Sequence, residues 1–149
     1  MKLAEALQER ADLNRRISQL CSRLENNATV QEGENPAEDP AELLAELDAC
    51  IARLQELIAA INLTNSRTLV EGRSLTELIA ERDCLNLKLQ SYRRVVDSAS
   101  CLSQRAARTE IRILSTVDVR AIQKQVDDLS ARLRRLDNTI QENNWRTEL

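Results

Sequence analysis

The feature that most constrains the fold is a series of aliphatic residues separated by three and four positions in turn. It is strictest near the C-terminus, where its members are Val119, Ile122, Val126, Leu129, Leu133, Leu136 and Ile140. Because an α-helix has 3.6 residues per turn, residues at this spacing lie along one side of a helix. A strand would require alternation at every second residue. We therefore expect helices that bury aliphatic stripes against one another.

Three further stretches carry this periodicity, and the two glycines and two prolines lie between them or at a helix start. The four predicted helices cover residues 2–26, 40–62, 75–98 and 119–142. Asp39 (before Pro40) and Asp118 are expected N-caps, and Ser74 with Glu77 has the capping-box spacing. Asparagines at 26–27, 62 and 143–144 are expected to end helices. The sequence thus predicts long helices of nearly equal length.

Nearly equal helices favour an all-α fold, in the form of an up-down four-helix bundle or antiparallel coiled coil. We expect a single helical domain over residues 1–149, with short strand-like pieces in the connections between helices. Its core would be aliphatic, because Tyr92 and Trp145 are the only aromatic residues. The residues between the third and fourth helices are the hardest to assign, although Ile111, Ile113 and Val117 suggest a strand.

Both glycines follow a short extended piece and a glutamate, in "TVQEGE" (29–34) and "TLVEGR" (68–73). Glycine there permits a positive φ, so each segment predicts a turn before a capped helix. In a bundle, residues 28–31 could pair with residues 110–114. Leu69 and Val70 would lie at the opposite end without a partner strand, so we expect them to contact another subunit.

The composition argues against several functional classes. A net charge of −3 and the scarcity of aromatics give no basis for nucleic-acid binding, which we do not expect. The absence of histidine and of glycine-rich motifs speaks against an enzyme, and we expect no cofactor and no metal. The four cysteines show no CxxC spacing, so we expect reduced, small apolar fillers; they are Cys21, Cys50, Cys84 and Cys101.

Self-association is the main expectation. Helices 2 and 3 have wider apolar faces than helices 1 and 4, and a wide face can serve both the core and a second subunit. The predicted partner is therefore a second copy of the chain, although a monomer that buries these faces internally is the alternative. Residues 25–48 are acidic and residues 88–112 are mostly basic, so pairing between them is possible, although solvated charges would account for them equally well.

A polar cluster around the connection between helices 2 and 3, together with the C-terminal segment, is the candidate interaction site. Its members are Asn62, Asn65, Arg67, Thr68, Leu69, Val70, Arg73, Asn144 and Trp145. The alternative interpretation is that Trp145 covers the end of the bundle and that the polar groups satisfy loop backbone.

Several segments resemble a small bacterial family of helical proteins whose members are often named septicolysin. They are "VQEGENPAEDPAELL" (30–44), "INLTNSRT" (61–68), "LTELIAERDCL" (75–85) and "LDNTIQENNW" (136–145). The resemblance spans essentially the whole chain, and its name implies a pore-forming haemolysin. It supplies no catalytic or binding motif that could be placed on residues of this sequence.

The sequence therefore predicts a cytoplasmic, oligomeric helical protein that acts by self-assembly or partner binding and not by catalysis. The amphipathic N-terminal residues lack the apolar segment of a signal peptide, and no stretch has the length and apolarity of a transmembrane helix. The alternative is a pore-former that inserts after oligomerisation, and a membrane partner is expected only under that alternative.

Overall fold

The structure, a computed structural model, describes residues 1–101 and 112–149. Within these residues there are four helices and one short hairpin, so the prediction of an all-α fold is confirmed. The helices are α1 (Leu3–Asn27), α2 (Pro40–Arg67), α3 (Leu75–Ser100) and α4 (Val119–Arg146), and the strands are β1 (Leu69–Val70) and β2 (Arg73–Ser74). The chain forms two compact units, residues 1–74 with 143–149 and residues 75–142. The single domain stays a prediction.

Two helix starts form as their capping residues predict. The Asp39 carboxylate accepts a hydrogen bond from the Ala41 N–H at 2.9 Å, and Pro40 occupies the first turn of α2. Asp118 accepts from the Ala121 N–H at 3.1 Å and caps α4 in the same way. These side chains satisfy backbone donors that a helix start leaves without an intrahelical partner.

Two predicted helix ends were wrong. The sequence suggested that α2 ends near Asn62 and α4 near residue 142, but α2 continues to Arg67 and α4 to Arg146. Asparagine costs only about 0.7 kcal/mol relative to alanine in a helix, and neither end contains glycine or proline. The helical hydrogen bonds therefore continue past these asparagines. In α2 the last of them runs from the Thr68 N–H to the Thr64 carbonyl, at 2.9 Å.

The first unit is built on an antiparallel pair, α1 and α2. Leu20, Leu43 and Cys50 form its buried apolar cluster, and partly buried aliphatic residues pack around them: Leu13, Ile17, Leu24 and Leu47. Cys50 is the small apolar filler that was predicted. The same prediction was wrong for the three other cysteines, whose side chains are exposed: Cys21, Cys84 and Cys101.

Three arginine–carboxylate pairs lie beside this apolar cluster, and they join α1 to α2 or, in the case of Glu38, to the residues just before α2. They are Glu9 with Arg53, Arg16 with Glu46, and Arg23 with Glu38. The α1 members are seven residues apart, so all three lie on one side of that helix. Two acids of the segment 25–48, Glu38 and Glu46, therefore pair with arginines of α1.

The pairs have the geometry of charge-assisted hydrogen bonds. Arg53 Nε and Nη2 lie 2.7 and 3.1 Å from the two carboxylate oxygens of Glu9, which makes that pair bidentate. Arg16 Nε and Nη2 both donate to Glu46 Oε1, at 2.9 and 2.7 Å. The hydrogen bond from Arg53 lowers the pKa of Glu9 below its usual value, and Arg23 does the same to the pKa of Glu38.

The two glycine segments adopt different conformations. In the first, the Glu34 N–H donates to the Gln31 carbonyl at 3.0 Å, and Gly33 has a φ of 89°. The predicted turn is confirmed, but residues 28–31 form no strand. Residues 112–117 are likewise irregular, and Ile111 lies outside the described residues.

The second glycine segment is the turn of a hairpin. Leu69 pairs with Ser74, and Val70 pairs with Arg73. The expectation that Leu69 and Val70 lack a partner strand was therefore wrong, because their partner is β2. The loop residues Glu71 and Gly72 have φ of 51° and 83°. Two consecutive positive φ values define a type I′ turn, whose twist suits a two-residue hairpin loop.

The second unit contains α3 and most of α4. Its buried residues are Leu75, Leu78, Leu85, Leu89, Val126 and Ile140. Arg132 of α4 pairs with Glu81 of α3. Arg93 Nη2 lies 3.4 Å from Ser130 Oγ and forms a second, longer contact between the two helices.

Glu71→Asn should stabilise the protein. A side chain at positive φ costs energy in every residue except glycine, and asparagine bears this cost best. We expect the free energy of unfolding to rise by about 0.5–1 kcal/mol, measured by urea denaturation, while Gly72→Ala lowers it by about 1–2 kcal/mol. The matched control is Glu32→Asn, because Glu32 also precedes a glycine but is not at positive φ. An equal gain in both asparagine variants would contradict the hairpin geometry.

The ion pair of Glu9 makes stability depend on pH in a defined direction. Because its pKa is lowered in the folded state, its contribution is complete above about pH 4.3, the unfolded value, and is lost as the pH falls through the folded value. Glu9→Gln should therefore reduce the loss of stability between about pH 5 and 3, measured by urea denaturation at low salt. Glu25→Gln, which removes an exposed carboxylate from the same helix, is the control, and an equal change of slope in both variants would contradict the role of the Glu9–Arg53 pair.

Candidate interaction surface

The nine residues of the predicted site all lie in the first unit, on three different elements. Asn62, Asn65 and Arg67 belong to the last turns of α2, and not to a loop as predicted. Thr68 caps that helix, and Leu69, Val70 and Arg73 form the hairpin. Asn144 and Trp145 belong to the last turn of α4, which was predicted to have ended before them.

Burial divides these residues into structural and exposed groups. Asn144 is only 5% exposed, whereas Leu69 and Trp145 are 67% and 62% exposed. The side-chain oxygens of Asn65 and Asn144 are buried and find no hydrogen-bond partner in the part of the chain that the structure describes. Trp145 does not cover buried apolar residues in the manner of a cap, since most of its surface is accessible.

Trp145 lines a groove of about 540 Å³ beside the start of α1. The groove contains three acids, Glu5, Glu9 and Asp12. Each acid already has a partner: Glu5 accepts from the Lys2 N–H at 2.7 Å, Glu9 pairs with Arg53, and Asp12 pairs with Arg15. Arginines thus compensate the charges of Glu9 and Asp12, whereas the partner of Glu5 is a neutral N–H group.

The C-terminal residues that follow Trp145 pair with the first residues of the chain. The Leu3 N–H donates to the Thr147 carbonyl and the Leu149 N–H to the Met1 carbonyl, both at 2.9 Å. Lys2 Nζ lies 2.6 Å from Glu148 Oε1. The hydrogen bond from Lys2 is the main reason that the pKa of Glu148 lies below its usual value. The last turn of α4 is thus fixed against the start of α1.

Among the described residues, α2 carries a regularly spaced row of exposed aliphatic side chains. Leu44, Ile51 and Ile58 are 50%, 45% and 40% exposed and are seven residues apart. The residue that directly precedes each of them in the sequence is buried. These preceding residues are Leu43, Cys50 and Leu57. The helix therefore has one column of aliphatic residues directed to the core and a second column directed outward.

Two further exposed columns complete this surface. One consists of the alanines that directly follow the exposed aliphatics, Ala45, Ala52 and Ala59, and the other of polar residues, Asp48, Gln55 and Asn62. Since all three columns repeat every seven residues, they lie side by side along the helix. We call these nine residues the outer face of α2. It contains one charged residue, Asp48.

The outer face of α2 is more continuous than the exposed apolar surface of α3. On α3, Leu87 and Val95 are exposed but are eight residues apart, with Ser91 between them. Sequence reasoning assigned a broad apolar face to α2, but it did not separate the buried column from the exposed one. The signal was present, because residues 43 and 44, 50 and 51, and 57 and 58 are apolar in every pair.

Two kinds of feature are not found in the described part of the chain. In residues 1–101 and 112–149, no cluster of three or more acids and cysteines is arranged to hold a metal ion. Over the same residues, no helix combines the length and the apolar character that crossing a bilayer requires.

Comparisons with known proteins give one family and one solved structure. A crystal structure of a functionally unknown conserved protein from Corynebacterium diphtheriae is 41% identical in sequence and has a TM-score of 0.96, and the match covers 100% of this chain and 98% of that one. A search of curated proteins gave no match. The model of DUF6847, a family of unknown function, matches residues 10–149. The chain therefore belongs to the DUF6847 family.

Proposed function

We propose that this protein acts by self-assembly, and that the outer face of α2 is the surface through which its copies associate. The observation that carries the proposal is the exposure of Leu44, Ile51 and Ile58 at seven-residue spacing. Burying an aliphatic side chain completely is worth about 1.5–3 kcal/mol, so three half-exposed residues on each of two copies offer a substantial gain. A second helix is the natural partner for a heptad-spaced row.

The surroundings of the row support this role. Charges in the contact would be expensive to bury, and the nine residues of the outer face include only one, Asp48. The alanines beside the row permit a close approach of another helix backbone. Partner binding through α3, where Leu87 and Val95 are exposed, is a weaker possibility because these residues form no continuous row.

The proposed role involves no catalysis, and the cytoplasm is the proposed location. Three of the four free cysteines are exposed, which suits a reducing compartment because exposed thiols oxidise readily elsewhere. The resemblance to septicolysin stays a prediction.

Light scattering after size exclusion tests the proposal. The chain has a mass of 16.9 kDa, and we expect a species of at least twice that mass. The measurement should cover a range of concentrations, because one helix face contributes an area near the ~1,000 Å² lower limit of specific interfaces. A 16.9 kDa species at every concentration would refute self-assembly.

Polar substitutions locate the contact. Ile51→Ser and Ile58→Ser should each shift the equilibrium toward the monomer by about tenfold or more, because each removes apolar surface from both copies. Val30→Ser is the matched control, since Val30 is 49% exposed but lies outside α2. Leu69→Ser tests the site predicted around the hairpin, and dissociation by that variant alone would place the contact there.

A further inference from the structure

We infer that two copies of α2 pair in antiparallel orientation, with a twofold axis beside Ile51. This inference rests on the proposed function, because it specifies the partner of the outer face of α2 as the same face of a second copy. Three features of that face carry it: the position of its one charge, the polar residue seven positions further on, and the symmetry of its apolar columns.

The charge distribution distinguishes the two possible orientations. In a parallel pair related by a twofold axis, each residue is level with its own copy, so Asp48 would lie beside a second Asp48. Two carboxylates at short distance repel each other, which disfavours the parallel orientation. In an antiparallel pair whose axis passes between Ile51 and Ala52, Asp48 is level with Gln55 of the other copy. The carboxamide of Gln55 can donate a hydrogen bond to that carboxylate.

The apolar columns are compatible with the antiparallel arrangement. Antiparallel symmetry places a column against the same column of the other copy, running in the opposite direction. Ile51 would then pack near its own symmetry mate, and Leu44 near Ile58. On the other side of the contact, Ala52 would approach its own mate, and Ala45 would approach Ala59. The result is one continuous aliphatic side and one side of close backbone contact.

The rest of the unit leaves this arrangement accessible. The arginine–carboxylate pairs to α1 use Glu46 and Arg53, which lie on the opposite side of α2 from the outer face. The buried column of Leu43, Cys50 and Leu57 also faces away from it. A second copy can therefore occupy the outer face of α2 without breaking any of these contacts.

Substitutions at Gln55 test the orientation by the sign of their effects. Gln55→Lys places a lysine level with Asp48 of the other copy and should tighten the dimer by about twofold to tenfold in Kd at low salt. Gln55→Glu places two carboxylates together and should weaken it by a similar factor. Gln31→Lys and Gln31→Glu, at an exposed position outside α2, control for the change in net charge. Dissociation constants would be measured by sedimentation equilibrium.

Each outcome of this experiment is decisive. Opposite effects of lysine and glutamate support the antiparallel pair. If both variants weaken the dimer, the pair is parallel, because each substitution then meets its own copy. If neither has an effect on a protein that does associate, the contact lies elsewhere. In both of these cases the inference is overturned while self-assembly stands, whereas a monomeric wild type overturns the proposed function itself.

Disulfide trapping provides a second test that does not depend on electrostatics. In a background with Cys21→Ser, Cys50→Ala, Cys84→Ser and Cys101→Ser, single cysteines are introduced by Ile51→Cys, Leu44→Cys and Ile58→Cys. Mild oxidation should link Ile51→Cys chains to each other but leave the other two variants unlinked. In an antiparallel pair, a Leu44→Cys residue is about 20 Å from its own mate at 1.5 Å per residue, which no disulfide spans.

A mixture of the Leu44→Cys and Ile58→Cys variants should give the linked heterodimer. Linkage of all three variants with themselves would show a parallel pair. Linkage of none, in a background that still associates, would exclude the outer face of α2 as the contact. Either result overturns the inference.

Discussion

The structure depends on how α2 divides its apolar residues between two sides. Pairs of aliphatic residues, such as Leu43 with Leu44, stand next to each other in sequence, and neighbours on a helix are separated by about 100°. One helix partner cannot cover both. α1 takes the column that contains Leu43, Cys50 and Leu57, and the apolar cluster with Leu20 is the consequence. The outer face of α2 is what this packing leaves exposed.

The apolar cluster and the arginine–carboxylate pairs contribute unequally to the stability of the α1–α2 pair. Exposed arginine–carboxylate pairs contribute little to stability, because solvent screens them and their side chains lose entropy. The burial of Leu20, Leu43 and their aliphatic neighbours supplies the larger part of the free energy that holds α1 against α2.

Periodicity and capping residues predicted the helices well, because both are local. Asp39 and Asp118 cap as expected, since a side chain two or three residues from a free N–H needs no distant partner. The true ends of α2 and α4, beyond Asn62 and Asn143, could not be predicted from helix propensity. The free-energy cost of asparagine in a helix is small compared with the gain from the packing and hydrogen bonds of these last turns. The hairpin also escaped prediction, because two-residue strands have no periodicity and Glu71 is an unusual residue at positive φ.

The candidate site was harder to predict than the fold. The residues grouped around the hairpin share a unit, but they divide between buried asparagines and exposed side chains, and sequence cannot distinguish the two. The outer face of α2 could in principle have been predicted from the sequence, since its three columns are visible there at seven-residue spacing. Which column faces α1 is a tertiary property. The placement of Glu9, Arg16 and Arg23 at the same spacing would have indicated it, because these residues mark the side of α1 that meets α2.

The arginine–carboxylate pairs contribute little to stability, but they help to define how α1 and α2 are aligned along each other. A heptad pattern of leucines is satisfied almost equally well when one helix slips along the other by seven residues, so it defines the register poorly. The pairs change polarity along the helices, from Glu9 with Arg53 to Arg16 with Glu46. A slip by one heptad in one direction would place Glu9 against Glu46, and a slip in the other direction would place Arg16 against Arg53. The single reversal of sign thus introduces a like-charge pair into each slipped alignment and leaves one alignment in which all three pairs attract.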